Sequence, residues 1–285
     1  MNTMKKHFLL KAFLVLSLAL AVSAGSYGQL LNENFDYVTG TQLLTNGWLL
    51  TNSTTNPLMV TAGSLSYAGY PSSGIGNGVN MVSSGQDANR TFTPQTTGPV
   101  YVGFLVNVSA SQATGDYFLH FLQGGSTTIL KGRVWIKKDP SSSAFAFGLS
   151  KQLTTVAGVV YTPYSYALNT TYLLVMKYQL NSGTADDVVS LYINPPTAAA
   201  EPAAPALICS DIATPTDPVN LGAIGLRQGT ASAAPTLRID GIRVGTTWAE
   251  IVGAVPVPTL SEWGLILLGL ALVGMGTVHI LRRKA

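Results

Sequence analysis

Apolar and polar positions alternate one for one along most of the chain from about residue 29 to about residue 254, in short runs set apart by turn residues. A period of two is that of a half-buried β-strand, whose successive side chains point to opposite faces. It predicts strands at 30–37, 88–93, 100–109, 116–122, 130–137, 144–149, 171–179, 187–193, 221–227 and 236–244. Breakers such as Gly124-Gly125, Asp139-Pro140 and Asn181-Ser182-Gly183 separate them. Neither a heptad nor a helical stripe appears between them, so the pattern is antiparallel and all-β, a sandwich or a barrel. Two long loops are expected, at 67–77 and 195–218. The second holds six prolines among alanines and reads as an exposed excursion within the one domain.

The two ends break this pattern. Lys5 and Lys6, an apolar run from Phe8 to Val22 and small residues up to Gly28 have the three-part layout of a secretory signal peptide, which would engage the Sec translocon. Cleavage after Ala24 or after Gly28 fits the small-residue rule. At the other end, residues 264–281 are 18 positions without an acid, lysine or arginine. As a helix they would be about 27 Å long, close to the apolar thickness of a bilayer. Arg282, Arg283 and Lys284 follow, which predicts a cytoplasmic C-terminus at 282–285 and a domain held outside.

Immediately before that segment stand Pro258, Thr259, Leu260, Ser261, Glu262, Trp263 and Gly264, with Val255, Pro256 and Val257 as a spacer. This order of motif, apolar helix and basic tail resembles the IPTL-CTERM sorting signals, relatives of the PEP-CTERM class, with Val257 where the name has isoleucine. The resemblance implies an exosortase-like transpeptidase that cuts at the motif, so that the membrane anchor is temporary. It implies a final place in the cell envelope, at the cell surface or outside the cell. The alternative is a plain single-span anchor with Trp263 at the membrane interface.

Charge then narrows the partners. Six of the 16 basic residues (Lys5, Lys6, Lys11, Arg282, Arg283 and Lys284) flank the terminal apolar segments, leaving 10, and setting Glu262 aside leaves 12 of the 13 acids. The middle is therefore about −2, without a basic run, which argues against a nucleic-acid partner. Cys209 is the single cysteine, so the chain offers no internal disulfide and no four-ligand Cys/His zinc site. It reads as a small, semi-buried apolar residue.

Phe35-Asp36-Tyr37, Gly47-Trp48, the run 187–194 and the stretch from Arg238 to Trp248 together resemble secreted bacterial domains of the LamG or concanavalin jelly-roll type. That resemblance implies two face-to-face antiparallel sheets with neighbouring chain ends over residues 29–254. It also implies a structural calcium ion near those ends, for which Asp36 and Asp240, with Glu33, are the candidates. The alternative is that these acids accept hydrogen bonds from backbone or from Arg238 and Arg243. Otherwise no cofactor is implied. A polysaccharide ligand would stack on aromatic rings, among Tyr67, Tyr70, Trp135, Tyr161, Tyr164 and Tyr166. Tyr161, Tyr164 and Tyr166, clustered around Pro163, are the candidate platform, unless alternation sends them to the core or a sheet edge.

Catalysis finds little to work with. Jelly-roll glucanases carry a Glu-x-Asp-x-Glu strand, and that spacing is absent here. Asp186 and Asp187 read as a turn. His120 is the only histidine of the middle region and reads as an ordinary hydrogen-bonded strand residue. The expectation is therefore a non-enzymatic surface or matrix protein that binds glycan or serves adhesion. A hydrolase with an unrecognised carboxylate pair and a purely architectural domain are the alternatives. Intact-mass spectrometry of the mature protein should find its start at residue 25 or 29 and residues 264–285 missing. Recovery of those residues intact would contradict processing at the motif.

Overall fold

The computed structural model describes residues 29–152, 158–197, 200–210, 216–253 and 269. The expected signal peptide, 1–28, and, apart from position 269, the expected sorting motif, membrane helix and basic tail, 255–285, lie outside these. Among the described residues no helix is long and apolar enough to cross a membrane. By its contacts the chain divides into a unit of residues 1–253 and a second unit of residues 254–285.

The first unit is an antiparallel β-sandwich. Its strands are β1 (Leu31–Glu33), β2 (Leu49–Asn52), β3 (Met59–Thr61), β4 (Gly78–Met81), β5 (Asp87–Gln95), β6 (Gly98–Ala110), β7 (Asp116–Leu122) and β8 (Leu130–Lys138). They continue as β9 (Phe145–Ser150), β10 (Val160–Tyr161), β11 (Thr171–Leu180), β12 (Val188–Ile193), β13 (Leu207–Cys209), β14 (Leu221–Leu226) and β15 (Thr236–Gly245). One sheet of eight runs β13-β12-β11-β6-β15-β4-β3, with β1 also against β15; the other, of seven, runs β10-β9-β8-β7-β14-β5-β2. Two separate sheets make this a sandwich and not a barrel.

Alternation builds the space between them. Val100, Val102, Phe104, Val106 and Val108 of β6 and Leu174, Met176 and Tyr178 of β11 face Phe118, Phe121, Val134, Ile136, Phe147 and Leu149 of the other sheet in one core cluster. Phe104 meets Phe118 edge to face, with ring centroids 6.0 Å apart. Burying each such side chain is worth about 2 kcal/mol.

Strand β15, the last of the sandwich, lies against the first, β1. Its first half pairs with β4 and its second half with β1, where Leu31 lies opposite Val244. Between the two halves the ladder bulges at Asp240, and Gly241 there takes a φ of +58°, a conformation that costs glycine little. A Cβ at Gly241 would also stand 2.9 Å from the Ser72 side chain.

After β15 the chain turns into α1 (Trp248–Val252), capped by Thr247 Oγ1 accepting from the Glu250 amide while Glu250 Oε2 accepts from the Thr247 amide. This short helix closes the outward face of the eight-stranded sheet. Trp248, Ile251 and Val252 pack there with Tyr70, Tyr101, Leu105, Leu173, Val175 and Tyr192. Gly103 has no side chain because Ile251 and Tyr70 press on that position.

Each of the ten strands expected from alternation has a counterpart, but the first, expected at 30–37, is confined to Leu31–Glu33, and Phe35 beyond it has a φ of +49°. The elements that alternation misses, β2, β3, β4, β10 and β13, are two to four residues long, too short to show a period. Strand β13 corrects the exposed excursion expected at 195–218. Leu207 and Cys209 are buried, and Cys209 lies opposite Val189 of β12. Glu201 in the same segment is half-buried. It accepts from Tyr101 Oη at 2.7 Å, from Lys177 Nζ at 3.1 Å and from Tyr192 Oη. Prolines keep this segment out of the sheet interior, but one carboxylate and one edge strand tie it down.

Candidate functional site

The outward face of the seven-stranded sheet is built from the positions of each strand that do not enter the core. In β8 these are Lys131, Arg133, Trp135 and Lys137, alternating with the inward Gly132, Val134 and Ile136. Cross-strand pairing sets Arg133 beside His120 of β7 and Ser150 of β9, and Trp135 beside Tyr117 and Gly148. His120 in turn lies opposite Gly225 of β14, and Gly148 opposite Tyr161 of β10.

Glycines let these rings lie down on the sheet. A Cβ at Gly148 would stand 2.5 Å from the Tyr161 ring, and one at Gly225 would fall on the His120 imidazole. The rings also contact one another and nearby cations. Tyr117 lies 5.2 Å from Trp135 and 5.6 Å from His120, centroid to centroid. The Arg227 and Arg133 guanidinium carbons sit 4.2 and 5.0 Å from the Tyr117 ring centre, and Lys137 Nζ sits 5.5 Å from that of Tyr161. Trp135 donates its indole N–H to Ser150 Oγ at 3.0 Å.

His120 differs from its expected role. It is 1% exposed, and neither ring nitrogen has a hydrogen-bond partner among the described residues. Gly225 offers it no side chain, and Arg133 is a donor that spends one N–H on the Gln152 carbonyl. Burial, with Arg133 and Arg227 nearby, lowers the proton affinity of the ring to about 3, so it is neutral. The Tyr161 hydroxyl is likewise buried without a partner among the described residues. Three orphaned polar atoms thus sit on one aromatic face, at a cost of about 1–3 kcal/mol each unless something outside the described residues satisfies them.

Two acids flank the face. Asp116 accepts from Arg227 at 2.7 Å and from the Tyr117 amide at 2.8 Å. Asp87 accepts from the Gln228 amide at 2.8 Å, and burial pushes its carboxyl up to about 6, with Asp116 adding to the rise. Neither acid was singled out in the sequence, nor were Tyr117, Arg133 and Arg227. The period-two row Lys131, Arg133, Trp135, Lys137 was the pattern that could have disclosed them.

The three tyrosines of the expected platform do not share a surface. Tyr161 lies on the outward face, Tyr164 is 38% exposed, and Tyr166 packs against Phe145, Phe147 and Tyr172 of the core. Tyr70 is buried on the other sheet, its hydroxyl donating to the Gly241 carbonyl at 2.7 Å.

The acids expected near the chain ends take up protein donors. Asp240 is fully buried and accepts from Ser64 Oγ at 2.6 Å, the Leu65 amide at 2.7 Å and the Gly241 amide at 2.6 Å. Burial still pulls its carboxyl up to about 6. Glu33 accepts from the Phe35 amide, Tyr37 Oη and Trp48 Nε1. Asp36 is exposed. A calcium ion needs these lone pairs turned toward itself, whereas those of Asp240 and Glu33 meet N–H and O–H groups. Arg238 and Arg243 donate elsewhere, to Asn80 and the 61–63 carbonyls and to the Glu250 carbonyl. A further acidic trio, Asp186, Asp187 and Asp217, is drawn together at the turn between β11 and β12, where Lys151 lies 2.7 Å from Asp217 and Asp217 caps the amides of the other two.

The other landmark is in the C-terminal segment. Residues 255–284 match the IPTL-CTERM motif. An IPTL-CTERM motif implies an exosortase-type sorting system and thus an exported, cell-surface protein. No curated protein matches the chain. Among solved structures, the ligand binding domain of botulinum neurotoxin serotype D in complex with N-acetylneuraminic acid is 11% identical, with a TM-score of 0.39. That match covers 70% of this chain and 47% of the toxin chain, so this protein spans about half of its length. Domain 4 of AbnA, a GH43 extracellular arabinanase from Geobacillus stearothermophilus, in complex with arabinotriose, is 11% identical over 79% of this chain and 96% of its own, with a TM-score of 0.42. An endo-1,3-β-glucanase from Streptomyces sioyaensis is 11% identical over 76% and 95%, with a TM-score of 0.39. Likenesses at this level carry nothing over to the site of this protein.

The buried groups have opposite effects on stability as pH changes. Asp87, with a folded value of about 6 against an ordinary 3.8, holds its proton longer in the folded state, so its contribution falls as pH rises through that window. His120, lowered from 6.5 to about 3, contributes stability that is complete above 6.5 and is lost as pH falls. Urea unfolding at pH about 4.5 and about 6.5 should therefore show Asp87→Asn gaining stability with pH relative to the unsubstituted protein, and His120→Gln losing it. Identical pH dependence in all three would contradict these buried states.

Proposed function

We propose that the chain is an exported surface or matrix protein, sorted through its IPTL-CTERM motif. We propose further that its sandwich, of the jelly-roll type, binds polysaccharide on the outward face of the seven-stranded sheet without catalysis and without a metal. The observation that carries this reading is the set of orphaned polar atoms, His120 Nδ1 and Nε2 and Tyr161 Oη, among the rings of Tyr117, Trp135 and Tyr161. Sugars present alternating apolar faces and hydroxyls. A neutral imidazole offers one donor and one acceptor to a hydroxyl, and a flat tyrosine offers its face. The two sheets also differ in a way that supports it. One outward face is plugged by apolar residues of α1, and the other is polar and aromatic.

Access sets the geometry. Trp135 and His120 are each 1% exposed, so they form a floor, and contact with a ligand begins at the half-buried Tyr161 and Lys137 and at Arg227.

A hydrolase would use Asp87 and Asp116. Asp116 is committed to Arg227 and the Tyr117 amide, which favours a structural role. In retention on immobilised polysaccharides, Tyr161→Ala and Gly148→Val, which would displace the Tyr161 ring, should each weaken binding about tenfold or more, as loss of one stacked ring does elsewhere. Tyr164→Ala should leave it unchanged. Turnover of a polysaccharide, abolished by Asp116→Asn, would overturn the non-catalytic reading.

A further inference from the structure

Two groups that the binding face does not use are arranged for chemistry with each other. Lys151 follows β9 and Asp217 precedes β14, and Lys151 Nζ stands 2.7 Å from Asp217 Oδ1. Their side chains are 0% and 6% exposed, whereas each of the other two ion pairs among the described residues keeps a side chain more than a fifth exposed. An ion pair taken out of water gains little over its neutral form, an amine beside a carboxylic acid.

The second oxygen of the same carboxylate, Asp217 Oδ2, accepts from the amides of Asp186 at 2.7 Å and Asp187 at 3.0 Å. Two amides on one oxygen stabilise the negative charge that develops when a carbonyl carbon is attacked. Asp187, 1% exposed, brings another carboxyl oxygen within 4.8 Å of one of Asp217. Burial raises the proton affinity of Asp187; the Asn181 amide opposes that rise, Asp217 adds to it and Tyr178 opposes it. Asp217 is held the other way, since against its burial Lys151 and the two amides keep it low. One acid thus favours its proton beside another that has given its proton up.

We infer that Lys151 and Asp217 join in an amide cross-link, formed by the folded chain itself with Asp187 as the proton carrier. The proton of the ion pair passes from Nζ to Oδ1, leaving a neutral amine and a carboxylic acid. The Nζ lone pair then attacks Cγ, an N–C bond forms, and the C=O electron pair moves onto Oδ2 between the two amides. Asp187 gives its proton to the Oδ1 hydroxyl, which leaves as water, and takes one from the nitrogen. Amine plus acid gives amide plus water, Asp187 is restored, and nothing is oxidised or reduced.

The bond would take a place that no internal disulfide can fill, since Cys209 is the single cysteine. The span 151–217 holds β10, β11, β12 and β13, among them one edge strand of each sheet. Closing that span removes freedom from the unfolded chain, as a disulfide does.

Denaturing mass spectrometry of the full chain, followed by proteolysis and fragmentation, tests this. The unsubstituted protein should weigh one water less than its recovered sequence, and a branched peptide should join Lys151 to Asp217. Lys151→Arg and Asp217→Ala should each show the full mass. Asp187→Asn, which keeps the shape but cannot carry the acid proton, should fold and form the bond about a hundredfold more slowly, as loss of a positioned acid–base group does. Full mass in the folded, unsubstituted chain would overturn the inference, and that reading depends on no variant. A water loss mapped elsewhere, as in a succinimide at Asp240-Gly241, would overturn it too. A bond formed equally fast in Asp187→Asn would overturn the role given to Asp187.

Discussion

A strand that fills a core with every second side chain must present the others to the outside, and this single constraint governs the domain. Each sheet has one face committed to the inter-sheet core, where Phe104, Phe118, Val134 and Met176 meet. The second face of each sheet then needs its own solution, and the chain uses two different ones. The eight-stranded sheet receives an apolar cover from α1 and Tyr70. The seven-stranded sheet keeps Tyr117, His120, Arg133 and Trp135, which join neither apolar cluster. That asymmetry is the physical ground for placing function on one sheet and closure on the other.

The covered face also explains how the first and last segments of the sandwich are secured. Strand β1 takes the second half of β15, Gln29 donates to the Glu250 carbonyl, and Glu250 in turn caps α1. Asp240 and Glu33 belong to the same closure, one accepting from the 64–65 segment and the other from Trp48 and Tyr37. In the sequence these acids stood out because the jelly-roll resemblance implies a calcium ion near the ends of the domain. In the folded chain they satisfy buried donors, which is the commoner use of a carboxylate at a bulge or strand end.

The strands were legible where alternation ran long enough, as in β6 and β11, and unreadable in two- to four-residue edge strands such as β10 and β13. The candidate site was legible in part. Tyr161 and Trp135 could be named as aromatics, but which face each joined depended on pairing. Tyr166, five residues from Tyr161, turns into the core because its own bridge is with Phe145. The charges on β8 were visible one by one in the sequence. Their convergence with Arg227, brought by β14 from almost a hundred residues away, is a property of sheet order and not of local pattern. Gly148 and Gly225 carry no signal of their own in the sequence, and only the folded chain gives them a purpose as seats for rings.

The central claim is that ligand meets the seven-stranded sheet and not the other. Nuclear magnetic resonance of the full chain, observing His120 and Tyr161 side chains against Trp248 and Tyr101 during addition of polysaccharide, tests it most directly. The account predicts shifts at His120 and Tyr161 that saturate with ligand, and none at Trp248 or Tyr101. Shifts confined to Trp248 and Tyr101, with His120 and Tyr161 unmoved, would contradict it.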